Sequence, residues 1–196
     1  MFFEVCSFMN SVVLIGARCS GKTSVGRELS SMLNVPFVDA DTEFIQANGE
    51  IRDFVDKHGW EEFRRAETEI IEDICARYHG IVFAPGGGAV GHNQGEKYRQ
   101  RNVELLREFG LVVYLLPYPD LRQSAEILTR RIENDANSVS TRPSLTGNSD
   151  SVTEMLLILE QRHSFYLAAS HHQIYTGEKL PVEIARDVIR IYKKVR

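Results

Sequence analysis

The chain has 196 residues, 43% hydrophobic and 26% charged, an ordinary globular balance with no composition that marks a fibrous or disordered protein. Its net charge of −4 argues against a general nucleic-acid or membrane-surface binder, while leaving room for a local basic pocket. Cys6, Cys19 and Cys75 are odd in number and lack metal or CxxC spacing, which points to a reduced, cytoplasmic compartment. No run approaches the roughly 18 apolar residues of a membrane span, so no membrane partner is expected.

Residues 1–11 begin MFFEVCSFMN, apolar but without a basic leader or a small-residue cleavage site, and read as an N-terminal extension. Residues 12–15 (VVLI) form a β-branched apolar run that feeds Gly16-x4-Gly21-Lys22-Thr23 and then a helical stretch, 22–33. A strand, a Gly-rich turn and a helix start together wrap backbone N–H groups around phosphates. The loop Gly16, Ala17, Arg18, Cys19, Ser20, Gly21, Lys22, Thr23 and Ser24 is therefore assigned to nucleotide phosphates. In such a loop the lysine reaches the β- and γ-phosphates and the threonine hydroxyl ligates Mg2+. Further apolar runs at 36–38, 81–84 (IVFA), 111–116 (LVVYLL) and 172–175 read as buried parallel strands. Helical patterns at 60–79, 95–109, 119–133, 151–168 and 181–194 alternate with them, the last opening with Pro181. The rhythm implies right-handed βαβ units and a three-layer α/β domain spanning 1–196.

Two stretches break the rhythm. Residues 40–59 are polar and short, two small helices within a segment at 40–80 that would hold the second substrate. Residues 134–150 (NDANSVSTRPSLTGNSD from 134) have no apolar periodicity, and Arg142 among small polar residues suggests a lid over a phosphoryl-transfer site.

Other clusters carry chemistry. Asp39 and Asp41 follow the second strand, where strand alternation would put both on one side: one to hold Mg2+-bound water, the other to accept a hydroxyl proton. The bland alternative is a helix cap beside a surface carboxylate. Gly86-Gly87-Gly88 ends the third strand and suggests bare amides presented to a ligand rather than a plain turn. Arg64, Arg65, Glu67 and Arg162 lie on helices, where arginines are usually solvated, but guanidinium forks would suit an anionic second substrate. His171-His172 reads as strand edge, and His58, His79, His92 and His163 stand singly and suggest no site.

In order along the chain, these pieces resemble the shikimate kinase family from about Val12 to Lys194. The sequence shows Gly16-x4-Gly21-Lys22-Thr23, Asp39-Ala-Asp41, Phe63-Arg64-Arg65-Ala-Glu67, Gly86-Gly-Gly-Ala89, Arg142-Pro143-Ser-Leu145, Gln161-Arg162 and Thr176-Gly-Glu-Lys-Leu-Pro181. The resemblance implies a P-loop kinase of the nucleoside monophosphate kinase-like fold, with a five-stranded parallel sheet in the order 2-3-1-4-5. It implies transfer of a phosphoryl group from ATP, with Mg2+, to the 3-hydroxyl of shikimate, in aromatic amino-acid biosynthesis, by a monomer with no nucleic-acid or membrane partner. It further implies that Lys22 holds phosphates, that Thr23 ligates Mg2+ with Asp39 supporting the metal through water, and that Asp41 orients the acceptor hydroxyl. Arg64 and Arg162 would clamp the shikimate carboxylate, with Gly86, Gly87 and Gly88 supplying backbone and Glu67 orienting Arg64. Phe54 and Phe63 would line the ring, Arg142 would fold onto the transferring group, and Arg131 would lie on adenine with the 176–181 loop and Lys179 on its other face.

The chain departs from the family pattern at Cys19-Ser20, where another glycine is common, at Pro85, at Ser144, and in longer stretches between Arg131 and Arg142 and over 89–110. Rival readings are another small P-loop kinase, acting on gluconate or a nucleoside monophosphate, and a regulatory homologue that binds nucleotide without turnover. The absence of an Asp-Gly-Phe-Pro-Arg type segment weighs against a nucleotide acceptor.

Overall fold

The computed structural model describes residues 10–93, 95–134 and 151–195. The apolar runs form β1 (Ser11–Ile15), β2 (Phe37–Asp39), β3 (Val82–Ala84), β4 (Gly110–Leu116) and β5 (His172–Tyr175). All pair in parallel, in the order β2-β3-β1-β4-β5, as the resemblance implied. β1 lies at the centre, matched to β3 through Val12↔Val82 and to β4 through Ser11↔Gly110. A side chain at Gly110 would stand 2.4 Å from the Ser11 carbonyl oxygen, so the bare residue sets how closely these two strands start.

The helices are α1 (Lys22–Leu33), α2 (Ala40–Asn48), α3 (Ile51–Arg77), α4 (Glu96–Phe109), α5 (Leu121–Asn134), α6 (Ser151–Ala169) and α7 (Pro181–Val195). Strand alternation divides the core into two layers. Val13 and Ile15 of β1 face Ile71, Leu106, Leu128 and Leu159, while Val12 and Leu14 face Val25, Leu29, Ile184 and Val188. A third cluster (Phe44, Ile51, Val55, Phe63 and Ala66) closes the 40–66 segment on itself.

Two sequence-based expectations change. The long helix begins at Ile51 rather than at 60, but it breaks at Gly59, whose φ of 83° and ψ of 167° no helix accommodates. The expected short helix before it is therefore the arm 51–58, and 60–77 is the long arm. Asp39 and Asp41 do not share a side through strand alternation, because the strand ends at Asp39. Asp39 instead caps α2, its Oδ1 accepting the Asp41 N–H at 3.0 Å, and the cap brings the two together. The 1–9 stretch and the candidate lid with Arg142 lie outside the described residues. Among the described residues no helix is long and apolar enough to cross a membrane.

Candidate active site

The loop between β1 and α1 takes the shape its glycines predict. Gly16 has φ 147° and Gly21 φ 99°, and a Cβ at Gly16 would stand 2.6 Å from the Leu115 carbonyl oxygen. Cys19, where the family often has glycine, also adopts a left-handed φ of 58°. The backbone therefore keeps the geometry at a cost that a glycine would not incur. Lys22 Nζ donates to the carbonyls of Gly16 and Ala17, both at 2.9 Å, holding the ammonium over the loop. Gly21 caps α1 with no side-chain partner, so the first amides of that helix point into the groove.

Two grooves flank this loop. On one side Cys19, Ser20, Gly21, Lys22, Thr23 and Ser24 share an open groove with Arg131, Lys179 and Pro181. Arg131 spans it, donating to the Cys19 carbonyl at 3.3 Å and to the Gly177 carbonyl at 2.7 Å. It thus contacts the 176–181 loop directly. Lys179 Nζ pairs with Asp187 Oδ2 at 2.9 Å.

On the other side lies a cavity of about 220 Å³ lined by Asp41, Phe63, Arg64, Glu67, Gly87, Gly88 and Arg162. Arg18 lines this cavity too, away from the nucleotide-side groove where the loop assignment placed it. Phe63 lines the apolar wall, joined by Trp60 and Ile51. Phe54 stands one layer back, edge-on to Phe44 at 5.1 Å.

The triple glycine explains how so many charged groups converge. A Cβ at Gly86 would lie 2.8 Å from Asp41 Oδ1 and 2.9 Å from Glu67 Oε1. One at Gly88 would lie 2.6 Å from Arg64 Nη2, and one at Gly87 3.3 Å from the Gly16 carbonyl oxygen. Each glycine is needed because something presses against its bare Cα. The segment is itself a run of turns, with the Ala89 N–H donating to the Gly86 carbonyl at 3.0 Å. Arg64, only 6% exposed, donates through Nη1 to Glu67 Oε2 at 2.6 Å and lies over the rings of Trp60 and Phe63. The Glu67 carboxylate thus pairs one edge of the buried guanidinium.

Thr23, on the nucleotide-side groove, meets Asp39: its Oγ1 donates to Asp39 Oδ2 at 3.1 Å. Burial first, then the Asp41 charge, pushes the Asp39 carboxyl above its usual range. A hydroxyl and a carboxylate with a raised affinity for positive charge are hard oxygen donors suited to Mg2+. Among the described residues no cluster of three or more His, Cys, Asp or Glu could hold a metal by itself, so such an ion would complete its shell with phosphate and water.

Tyr166 was missed in the sequence. Wholly buried on α6, it donates to the Gly87 carbonyl and hydrogen-bonds Arg162, fixing the glycine loop to the helix that carries that arginine. Its partner Gly87 lies 79 positions away along the chain, so no local pattern marks it.

Comparison with known proteins adds to this geometry. The family model described as "Shikimate kinase" matches residues 18–193. A shikimate kinase of Syntrophus aciditrophicus is 35% identical, covering 95% of this chain and 92% of that protein. Shikimate kinase 2 of Syntrophotalea carbinolica is 32% identical, with 94% and 97% covered. A solved structure of the Acinetobacter baumannii shikimate kinase in complex with shikimate superposes with a TM-score of 0.78 at 28% identity, covering 94% of this chain and 93% of that one.

Proposed function

This chain belongs to the shikimate kinase family, an ATP-dependent kinase family, and from that premise we propose how its residues divide the transfer of the ATP γ-phosphoryl group to the 3-hydroxyl of shikimate. The observation that carries the assignment is the cavity beside the phosphate loop, whose wall brings together Asp41, Arg64 and Arg162. A small ring acid needs such an arrangement, because its hydroxyl must face the phosphates while its carboxylate is held by guanidinium forks.

In this reading the groove from Cys19 to Ser24 takes the ATP phosphates, with Lys22 and the first amides of α1 offsetting their charge. Arg131, with Lys179 and the 176–181 loop, borders the adenine. Thr23 and, through water, Asp39 would hold Mg2+, which would neutralise phosphate charge. Asp41 orients the acceptor hydroxyl and is placed to take its proton. Arg64, oriented by Glu67, and Arg162 grip the carboxylate, and Phe63 and Trp60 cover the ring. Arg142 would reach the transferring group from the 134–150 segment, which serves as the lid, and 40–80 forms the acceptor-binding part of one kinase domain. The enzyme works as a cytoplasmic monomer.

The test is a split of kinetic constants. Arg162→Ala should raise the KM for shikimate by roughly 10- to 100-fold, the worth of hydrogen bonds to a charged group, and leave the KM for ATP unchanged. An unchanged shikimate KM would remove Arg162 from the acceptor site.

A further inference from the structure

Two residues of the acceptor cavity's wall, Gly87 and Arg162, share one partner behind it. Tyr166, wholly buried on α6, donates its hydroxyl proton to the Gly87 carbonyl. The same oxygen accepts from Arg162, one turn back on the helix, since a guanidinium can only donate. A single phenol oxygen therefore ties the glycine loop to the arginine.

The chain gives way around this hydroxyl. Gly91, in the lengthened stretch after the triple glycine, donates its N–H to the Gly88 carbonyl at 3.0 Å and turns its bare Cα towards the phenol. A Cβ there would stand 3.0 Å from Tyr166 Cζ and 3.1 Å from its hydroxyl oxygen. On the far side the Tyr166 ring stacks on Tyr114 of β4, with centroids 5.0 Å apart and planes 28° from parallel. Tyr114 is just as buried, but its hydroxyl bonds His163 Nδ1 at 3.2 Å. The two rings thus fill the same core, while only the Tyr166 hydroxyl reaches groups of the acceptor site. A phenylalanine would fill the space without the cost of burying a polar atom, so packing alone does not account for tyrosine at 166.

We propose that Tyr166 is a positioning residue for acceptor binding, its hydroxyl fixing the Arg162 guanidinium against the Gly87 carbonyl so that the carboxylate clamp is aligned before the substrate enters. The inference rests on the reading of Arg162 as part of that clamp. A side chain held in its bound position loses less freedom on binding, which appears as affinity. The 89–110 stretch gains a task as well, because Gly91 leaves the room that the phenol needs.

The experiment compares thermal midpoint, KM for shikimate and KM for ATP in the wild type, Tyr166→Phe, Tyr114→Phe, Arg162→Ala and the double variant Tyr166→Phe/Arg162→Ala. Tyr166→Phe should raise the shikimate KM about tenfold, the scale of one hydrogen bond to a charged group, with the ATP KM unchanged. Tyr114→Phe also removes a buried, bonded hydroxyl, so its midpoint reports the structural cost the two changes share, but its shikimate KM should stay at the wild-type value. In the Arg162→Ala background Tyr166→Phe should cost less than it does alone, because residues of one network are not additive. A shikimate KM unmoved by Tyr166→Phe, while Arg162→Ala raises it, overturns this inference alone. So does an equal rise in Tyr114→Phe, or an undiminished cost in the double variant. A KM unmoved by Arg162→Ala overturns the clamp and the inference with it. Should Tyr166→Phe lack a cooperative transition, Tyr166→Met, whose flexible side chain fills irregular gaps, carries the same comparison.

Discussion

At the scale of single residues, the site is built from charges that glycines allow to approach. Lys22→Met should lower kcat by at least about 100-fold, the loss typical of one charge-stabilising donor, with circular dichroism and melting near wild type. A kcat within tenfold would remove Lys22 from phosphate stabilisation. Gly88→Ala should raise the shikimate KM while sparing the ATP KM, since the new methyl would stand 2.6 Å from Arg64 Nη2 and displace the guanidinium. Cys19 tests the backbone: its φ of 58° costs about 1–2 kcal/mol for an L-residue, part of which glycine returns as unfolded-state entropy. Cys19→Gly should therefore melt at or above the wild type and Cys19→Val below it; the reverse order would show that the loop does not hold that conformation. Lys22, Asp39 and the triple glycine stood out in the sequence by their positions after apolar strands, whereas Arg64, on a helix where arginines are usually solvated, stood out only through the family resemblance. Tyr166 did not stand out, since what singles it out is a neighbour far along the chain: Gly87 lies 79 positions before it.

At the scale of elements, local patterns were sufficient wherever the period was unambiguous. Five apolar runs became five parallel strands, and the strand-to-helix rhythm became the two faces of the sheet. What failed was the reasoning about Asp39 and Asp41: a three-residue strand is too short for alternation to govern the residue beyond it, and a cap took over. The onset of α3 shifted for a related reason, since one glycine with a left-handed φ turns the chain without ending its hydrogen-bonded run. Packing between elements shows at Gly26 of α1, where a Cβ would lie 2.3 Å from the Phe37 ring of β2. Gly26→Val should destabilise by roughly 1–3 kcal/mol through overpacking, read as a lower denaturant midpoint with an unchanged slope. A wild-type midpoint would mean that α1 and β2 can part without loss.

At the scale of the whole molecule, the fold places two binding grooves on either side of one loop at the carboxyl ends of its strands, where open α/β sheets bind ligands. Buried titratable groups also couple stability to pH. His92 is held near 3 in the folded chain against an ordinary 6.5, so over that window the unfolded chain binds the extra proton. Its contribution therefore falls as pH drops from about 6.5 towards 3. Asp39, raised by burial, acts in the opposite sense and loses stability as pH rises through its folded value. Comparing wild type with His92→Phe isolates the first effect: the variant should lose less stability between pH 6.5 and 4, and parallel curves would contradict the buried, neutral imidazole. The account as a whole turns on the acceptor. ADP release should be measured from ATP and Mg2+ with shikimate, quinate, gluconate and AMP presented side by side. Turnover confined to shikimate, or far faster with it, is the predicted result; equal or faster turnover with gluconate or AMP would contradict the assignment of the Asp41, Arg64 and Arg162 cavity.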